Sequence, residues 1–143
     1  MSAPAAELRH ATDLIDAFNE GDWDRLEEHL ARDVLYTETG TGRRVEGAAA
    51  YLDLCRGWKE AFPDVTGTVT NAATGDDNAV LEIRWDATHT GPLETPAGVV
   101  PASGKRIAVD ASFWTRDEGD SIQEIHHHLD VLALLQQIGA LPS

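Results

Sequence analysis

Trp58-Lys59-Glu60-Ala61-Phe62-Pro63-Asp64-Val65-Thr66-Gly67-Thr68-Val69-Thr70 is the stretch in which the hydrophobic period changes. Upstream, Tyr51, Leu52, Cys55, Trp58 and Phe62 share one helix face, which predicts a helix from Ala48, opened by Gly47, to Phe62. Pro63 ends it, because a proline drives the preceding residue out of the helical region. Downstream, threonines and small residues over Val65–Thr74 predict a strand.

Moving outward toward the N-terminus, Leu8, Ala11, Ile15 and Phe18 form the stripe of an amphipathic helix that begins near Ala5 and stops at Gly21. Asp22 can cap a short second helix, Trp23 to about Ala31, followed by a strand at Val34–Glu38 and a loop at Thr39–Gly42. Toward the C-terminus, strands are expected at Ala79–Thr90, Ile107–Arg116 and Ser121–Asp130, with turns at Gly75–Asn78 and Asp117–Asp120. Gly91–Lys105, with three prolines, reads as a long loop, and Val131–Ile138 as a short helix stopped by Gly139. Helices segregated from strands define an α+β architecture, and a mostly antiparallel sheet wrapped on one long helix leaves a concave pocket. The length, 143 residues, suits a single domain spanning 1–143, with only Met1–Pro4 and Leu141–Ser143 as candidates for disorder.

Twenty-five acidic against 11 basic residues leave a formal charge of -14, a field that repels nucleic-acid backbones and anionic membranes. Neither is expected as a partner. Cys55 is the single cysteine, so no internal disulfide can form. The first ten residues lack the apolar run of a signal peptide, and no stretch approaches the length of a membrane span. A cytoplasmic protein is the expectation.

Chemistry concentrates in Ile122-Gln123-Glu124-Ile125-His126-His127-His128-Leu129-Asp130. Strand alternation puts Ile125, His127 and Leu129 on one face and Glu124, His126, His128 and Asp130 on the other. The first face is apolar apart from one imidazole, so it should face the pocket. There His127 can act as general acid or base, or can be a buried ring satisfied by one hydrogen bond. His126, His128 and Glu124 could converge on a divalent ion, but no further ligand stands at suitable spacing, and no metal is expected. Tyr36 and Glu38 share a face of their strand, as do Arg84 and Asp86, and a carboxylate beside a guanidinium stays ionised and oriented. For Arg84 and Asp86 the pattern conflicts with itself, because Leu81, Ile83, Trp85 and Ala87 make the more apolar face. Trp58 and Phe113 are candidate pocket walls. Lys105 and Arg106 could attract an anion.

Four segments, in this order, resemble one known family: Ala17-Phe18-Asn19-Glu20-Gly21-Asp22-Trp23-Asp24, Thr88-His89-Thr90-Gly91, Pro101-Ala102-Ser103-Gly104-Lys105-Arg106, and His128-Leu129-Asp130 leading into Leu134-Leu135-Gln136-Gln137-Ile138-Gly139. They resemble the SnoaL-like polyketide cyclases of the nuclear transport factor 2-like superfamily. The resemblance implies a cone-shaped, curved antiparallel sheet wrapped around N-terminal helices (a cystatin-like α+β barrel), an internal pocket and a homodimer. The true cyclases of that family close a ring without a cofactor. In such cyclases an Asp on the last strand shuttles a proton in an intramolecular aldol condensation, assisted by a His on the preceding strand. Those positions fall on His127 and Phe113. Arg84-Trp85-Asp86 with Tyr36 and Glu38 also resembles the Arg-x-Asp and Tyr-x-Asn segments of limonene-epoxide hydrolase-like enzymes, whose second Asp again falls on His127.

The expectation is therefore a cofactor-free acid/base enzyme acting on a small, mostly apolar carbonyl compound, a cyclase or isomerase. His127, Asp86 and Arg84 would be its catalytic groups, and Tyr36, Glu38, Trp58, His89 and Phe113 its substrate-binding groups. An epoxide hydrolase and a non-catalytic small-molecule binder are the alternatives.

Overall fold

The computed structural model describes residues 5–95 and 97–141. Met1–Pro4, Pro96, Pro142 and Ser143 lie outside the described residues, and with them most of the tail positions named above. Two helices come first, α1 (Ala6–Glu20) and α2 (Trp23–Glu28), then strands β1 (Leu30–Thr39) and β2 (Arg43–Glu46) and the helix α3 (Ala48–Ala61). Strands β3 (Thr66–Thr74), β4 (Asn78–Thr88), β5 (Leu93–Thr95), β6 (Gly98–Val100), β7 (Arg106–Glu118) and β8 (Ser121–Leu129) follow, and α4 (Val131–Gln137) closes the chain.

The main sheet has the order β2-β1-β8-β7-β4-β3. All its pairs are antiparallel except β1 with β8. Helix α1 lies across β3, β4 and β7, while α3 packs on β1. Both bury apolar stripes, Ala11, Leu14, Ile15, Ala17 and Phe18 on one and Tyr51, Leu52 and Cys55 on the other. The sheet curls around them as an α+β cone.

Local signals set most of the boundaries. Gly21, at φ 69°, ends α1 in the left-handed conformation, and its N–H bonds back to Phe18 O at 3.1 Å. Asp22 caps α2 by accepting from the Arg25 N–H at 3.2 Å, and Asp130 caps α4 from Ala133 at 3.0 Å. Helix α2 ends at Glu28, earlier than expected, because Leu30 already pairs with Ile122 in β8. Three strands were not foreseen. Strand β2 has too few apolar residues to show a period, and the supposed loop Gly91–Lys105 contains the small β5–β6 hairpin.

Irregular pairing decides which side chains face inward. On β8, Ile122 is buried and so are Ile125 and His127, although Ile122 has the opposite parity. The register shift between Arg116 and Asp117, which skips Gln123, flips the face and keeps both halves of the strand on the core. Among the described residues no helix is long and apolar enough to cross a membrane.

Candidate active site

A cavity of about 60 Å³ lies between α1, α3 and the concave face of the sheet, its walls almost wholly apolar. Phe18, Leu54, Trp58, Trp85, Phe113 and Val109 contribute to it, with Tyr36, Tyr51, Cys55 and His127 as its polar-tipped members. A second hollow, about 480 Å³, adjoins it and shares Leu54 and Trp58; Arg43, Glu60 and strand β5 border that outer space.

His127 reaches the cavity because of its neighbours in the sheet. It lies beside Glu38 of β1 and opposite Phe113 of β7, and strand alternation turns all three inward. The Phe113 ring meets the imidazole edge-on at 5.2 Å. The Tyr36 hydroxyl stands 2.9 Å from His127 Nδ1 and also bonds the Glu38 carboxylate. The Trp85 indole lies 3.3 Å from Nε2 on the ring's other side.

These contacts fix the protons. An indole N–H only donates, so Nε2 carries the lone pair and the proton of the neutral ring sits on Nδ1. Nδ1–H then donates to the Tyr36 oxygen, and the Tyr36 O–H donates to Glu38. Glu38 Oε1 accepts from the Thr41 hydroxyl at 2.7 Å, with the Arg43 guanidinium 3.9 Å away. The chain runs from Trp85 through His127 and Tyr36 to Glu38, with every donor aimed at an acceptor.

Burial governs the ionisation of this network. His127 is pushed down to about 4, chiefly by desolvation and secondarily by repulsion from His128, so the ring is neutral at pH 7. Desolvation, reinforced by Glu38, raises Tyr36 well above the ordinary phenol range, so it stays a donor. Burial also lifts the Tyr51 phenol and pushes the Cys55 thiol up to about 12. A thiol so placed is not a nucleophile near neutrality. Among the described cavity-lining residues, His127 alone offers an unprotonated basic nitrogen at pH 7.

Trp58, Phe113 and Tyr36 line the cavity, while Glu38 is buried behind Tyr36. Two other expectations are corrected. Arg84 and Asp86 are on the convex face, 51% and 43% exposed, where Arg84 pairs with Asp86 at 3.9 Å and with Asp110 at 3.7 Å. The apolar run Leu81, Ile83, Trp85 and Ala87 won the inner face of β4, and a strand cannot present adjacent residues to one side. His89 is fully buried but away from the cavity. Its Nδ1 accepts from the Ser103 N–H at 3.1 Å, and the backbone pairs with Lys105 and Gly104, so it anchors the loop entering β7.

Trp85, Thr41 and Arg43 were not singled out from the sequence. The alternation of β4 already carried the signal for Trp85; nothing in the pattern marked the other two. The outward-facing histidines make no ion site. Glu124 is occupied by Arg116 at 3.0 Å and His126 at 3.2 Å, and among the described residues no three His, Cys, Asp or Glu side chains are grouped to hold a metal.

The fold is that of the ketosteroid isomerase-like and nuclear transport factor 2-like class. The SnoaL-like polyketide cyclase family matches residues 9–138, and the chain belongs to that family. No curated protein matches it. Among solved structures it is similar to a candidate SnoaL-like polyketide cyclase from Jannaschia sp. CCS1, with 21% identity, TM-score 0.86, and coverage of 99% of this chain and 100% of that one. It is also similar to IdmH, a candidate polyketide cyclase from Streptomyces antibioticus, with 24% identity, TM-score 0.78, and coverage of 93% and 98%. A hypothetical protein of ketosteroid isomerase-like fold from Catenulispora acidiphila DSM 44928, in complex with trimethylamine, has 20% identity and TM-score 0.76, with 93% of each chain covered.

Proposed function

We propose that the protein is a cofactor-free acid/base enzyme of the cyclase or isomerase type, acting on a small, mostly apolar carbonyl compound. The observation that carries this reading is a neutral imidazole in an apolar cavity, its Nε2 lone pair on the cavity wall and its Nδ1 backed by Tyr36 and Glu38. Nε2 takes a proton from the carbon next to a carbonyl. The C–H electron pair becomes the enolate double bond, and the carbonyl π pair moves to oxygen. The imidazolium so formed is stabilised through Tyr36 by Glu38, and returns the proton to the product.

A base held near 4 is weak, so its partner must be a carbon acid activated beyond a simple ketone. A 1,3-dicarbonyl meets that demand. The inner cavity admits only the reacting portion, leaving the remainder of the ligand to the outer hollow beyond Leu54 and Trp58. Epoxide hydrolysis is not supported, because the required Arg and Asp face away from the cavity. The same reading includes a cytoplasmic homodimer. The free, buried Cys55 suits a reducing compartment, and the part-exposed Trp114 and His126, whose tilted rings lie 4.6 Å apart on the convex face, suit a second copy.

The test is deuterium uptake by a β-keto ester, ethyl 2-oxocyclohexanecarboxylate, in heavy water, followed by mass spectrometry. The native protein should exceed the buffer background, and His127→Ala should lose at least about 10²-fold of that excess. Exchange unaffected by the substitution removes His127 from the chemistry. Ligand binding with no exchange in either protein identifies a non-catalytic binder.

A further inference from the structure

Trp85 lies on the cavity wall with its only polar atom committed to the base. Its Nε1–H reaches His127 Nε2 at 3.3 Å, longer than a strong N–H bond, so little is lost when another acceptor replaces the imidazole. The ring itself is clamped. Phe18 meets it edge-on at 5.5 Å, and Gly67 lies flat beneath it, where a Cβ would stand 2.5 Å from Cζ3. Gly67 is held in turn by Asn19, which donates to its carbonyl at 2.9 Å and accepts from its N–H at 2.8 Å. Helix α1 thus fixes β3, and β3 fixes the indole. The lone pair that should act as base is thus covered by the indole donor, whose plane is held between Phe18 and Gly67.

We propose that Trp85 both covers the base and supplies the oxyanion donor, so that a ligand oxygen switches the site on. This rests on the reading of His127 as the base. A carbonyl oxygen entering the cavity takes the indole hydrogen bond and leaves Nε2 uncovered beside the adjacent C–H. As Nε2 removes that proton, the pair displaced onto oxygen is met by the same N–H, whose bond strengthens as charge develops. The ligand must therefore carry an acceptor oxygen bonded to the carbon next to the acidic C–H. An apolar molecule of equal shape without that oxygen occupies the cavity and leaves the base covered.

Trp85→Phe keeps the ring and deletes the donor. Deuterium uptake by the β-keto ester should fall about 10²-fold, the scale of a lost oxyanion donor. The acid limb of the exchange-rate profile should also move to higher pH, because the deleted bond favoured the neutral imidazole. Gly67→Ala keeps the N–H but pushes the ring off its seat, and should show the same loss. Native protein provides a readout free of folding effects: the indole ¹⁵N–¹H resonance absent from Trp85→Phe should shift with cyclohexanone and not with methylenecyclohexane. If Trp85→Phe exchanges at the native rate while His127→Ala does not, the role of Trp85 is overturned and the base stands. If both exchange at the native rate, the base fails as well. Identical shifts with the ketone and the alkene also overturn the proposal.

Discussion

Two histidine-carboxylate networks, one beside the cavity and one at the periphery, use similar residues to opposite effect. In the inner network His127 reaches Glu38 only through Tyr36, and burial, with repulsion from His128 second, pushes the imidazole down to about 4. In the outer one, between α1 and α2, Asp13 accepts from Arg25 and His29, the latter at 2.6 Å, and its carboxyl is held down to about 2, first by the Arg25 hydrogen bonds. The nearby His10 bonds Asp117 at 2.8 Å, and its ring lies tilted against that of His29 at 5.4 Å. At the part-exposed edge, with a guanidinium bonded directly to it, the carboxylate keeps its charge. Beside the apolar cavity, where desolvation dominates, the imidazole gives up its proton and becomes a base.

The comparison is tested most severely by acid. His127 is depressed from 6.5 to about 4, so the unfolded chain binds its proton first, and stability present above pH 6.5 drains away as the pH falls toward 4. That amounts to about 3 kcal/mol. Chemical denaturation of native protein and His127→Asn at pH 7 and pH 4 should show the difference between them narrowing by that amount. A constant difference would mean the ring is not desolvated.

Asp13 should give less. Its lowered carboxyl contributes stability above pH 3.8 that is lost as the pH falls through about 2. The pair is one-third exposed, so after solvent screening Asp13→Asn should cost about 1 kcal/mol at pH 7 in urea unfolding. Keto-ester exchange should be unchanged, and a large loss of exchange would tie the two networks together. The smallest effect belongs to the convex face. Arg84→Ala should change stability by less than about 0.5 kcal/mol and leave exchange intact; an exchange defect there would reinstate the Arg-x-Asp segment as functional.

The architecture was legible because each element carried a local signal: a stripe on α1 and α3, Pro63 at the change of period, alternation on β4 and β7. Strand β2 and the β5–β6 hairpin were not, since short exposed strands have no face to mark. In the site, alternation on β8 identified the inward face of His127 because Ile125 and Leu129 flank it. The same logic argued against Arg84 and Asp86, and the resemblance to an Arg-x-Asp segment pulled the other way. Packing settled the conflict in favour of Trp85, whose large apolar ring gains more from burial than a guanidinium can.

By itself, then, the chain determined its periods: helix stripes, strand faces, caps and stops, and with them an α+β architecture with an imidazole turned inward. Only the folded molecule decided what that imidazole meets. Tyr36 and Trp85 bond the ring, Glu38 backs Tyr36 and Gly67 seats Trp85; they come from three other strands, and their assembly depends on sheet order and on register shifts at Arg116–Asp117 and Leu30–Leu35. Those follow from long-range pairing, in which a shift of one residue exchanges the faces, and no local pattern encodes them.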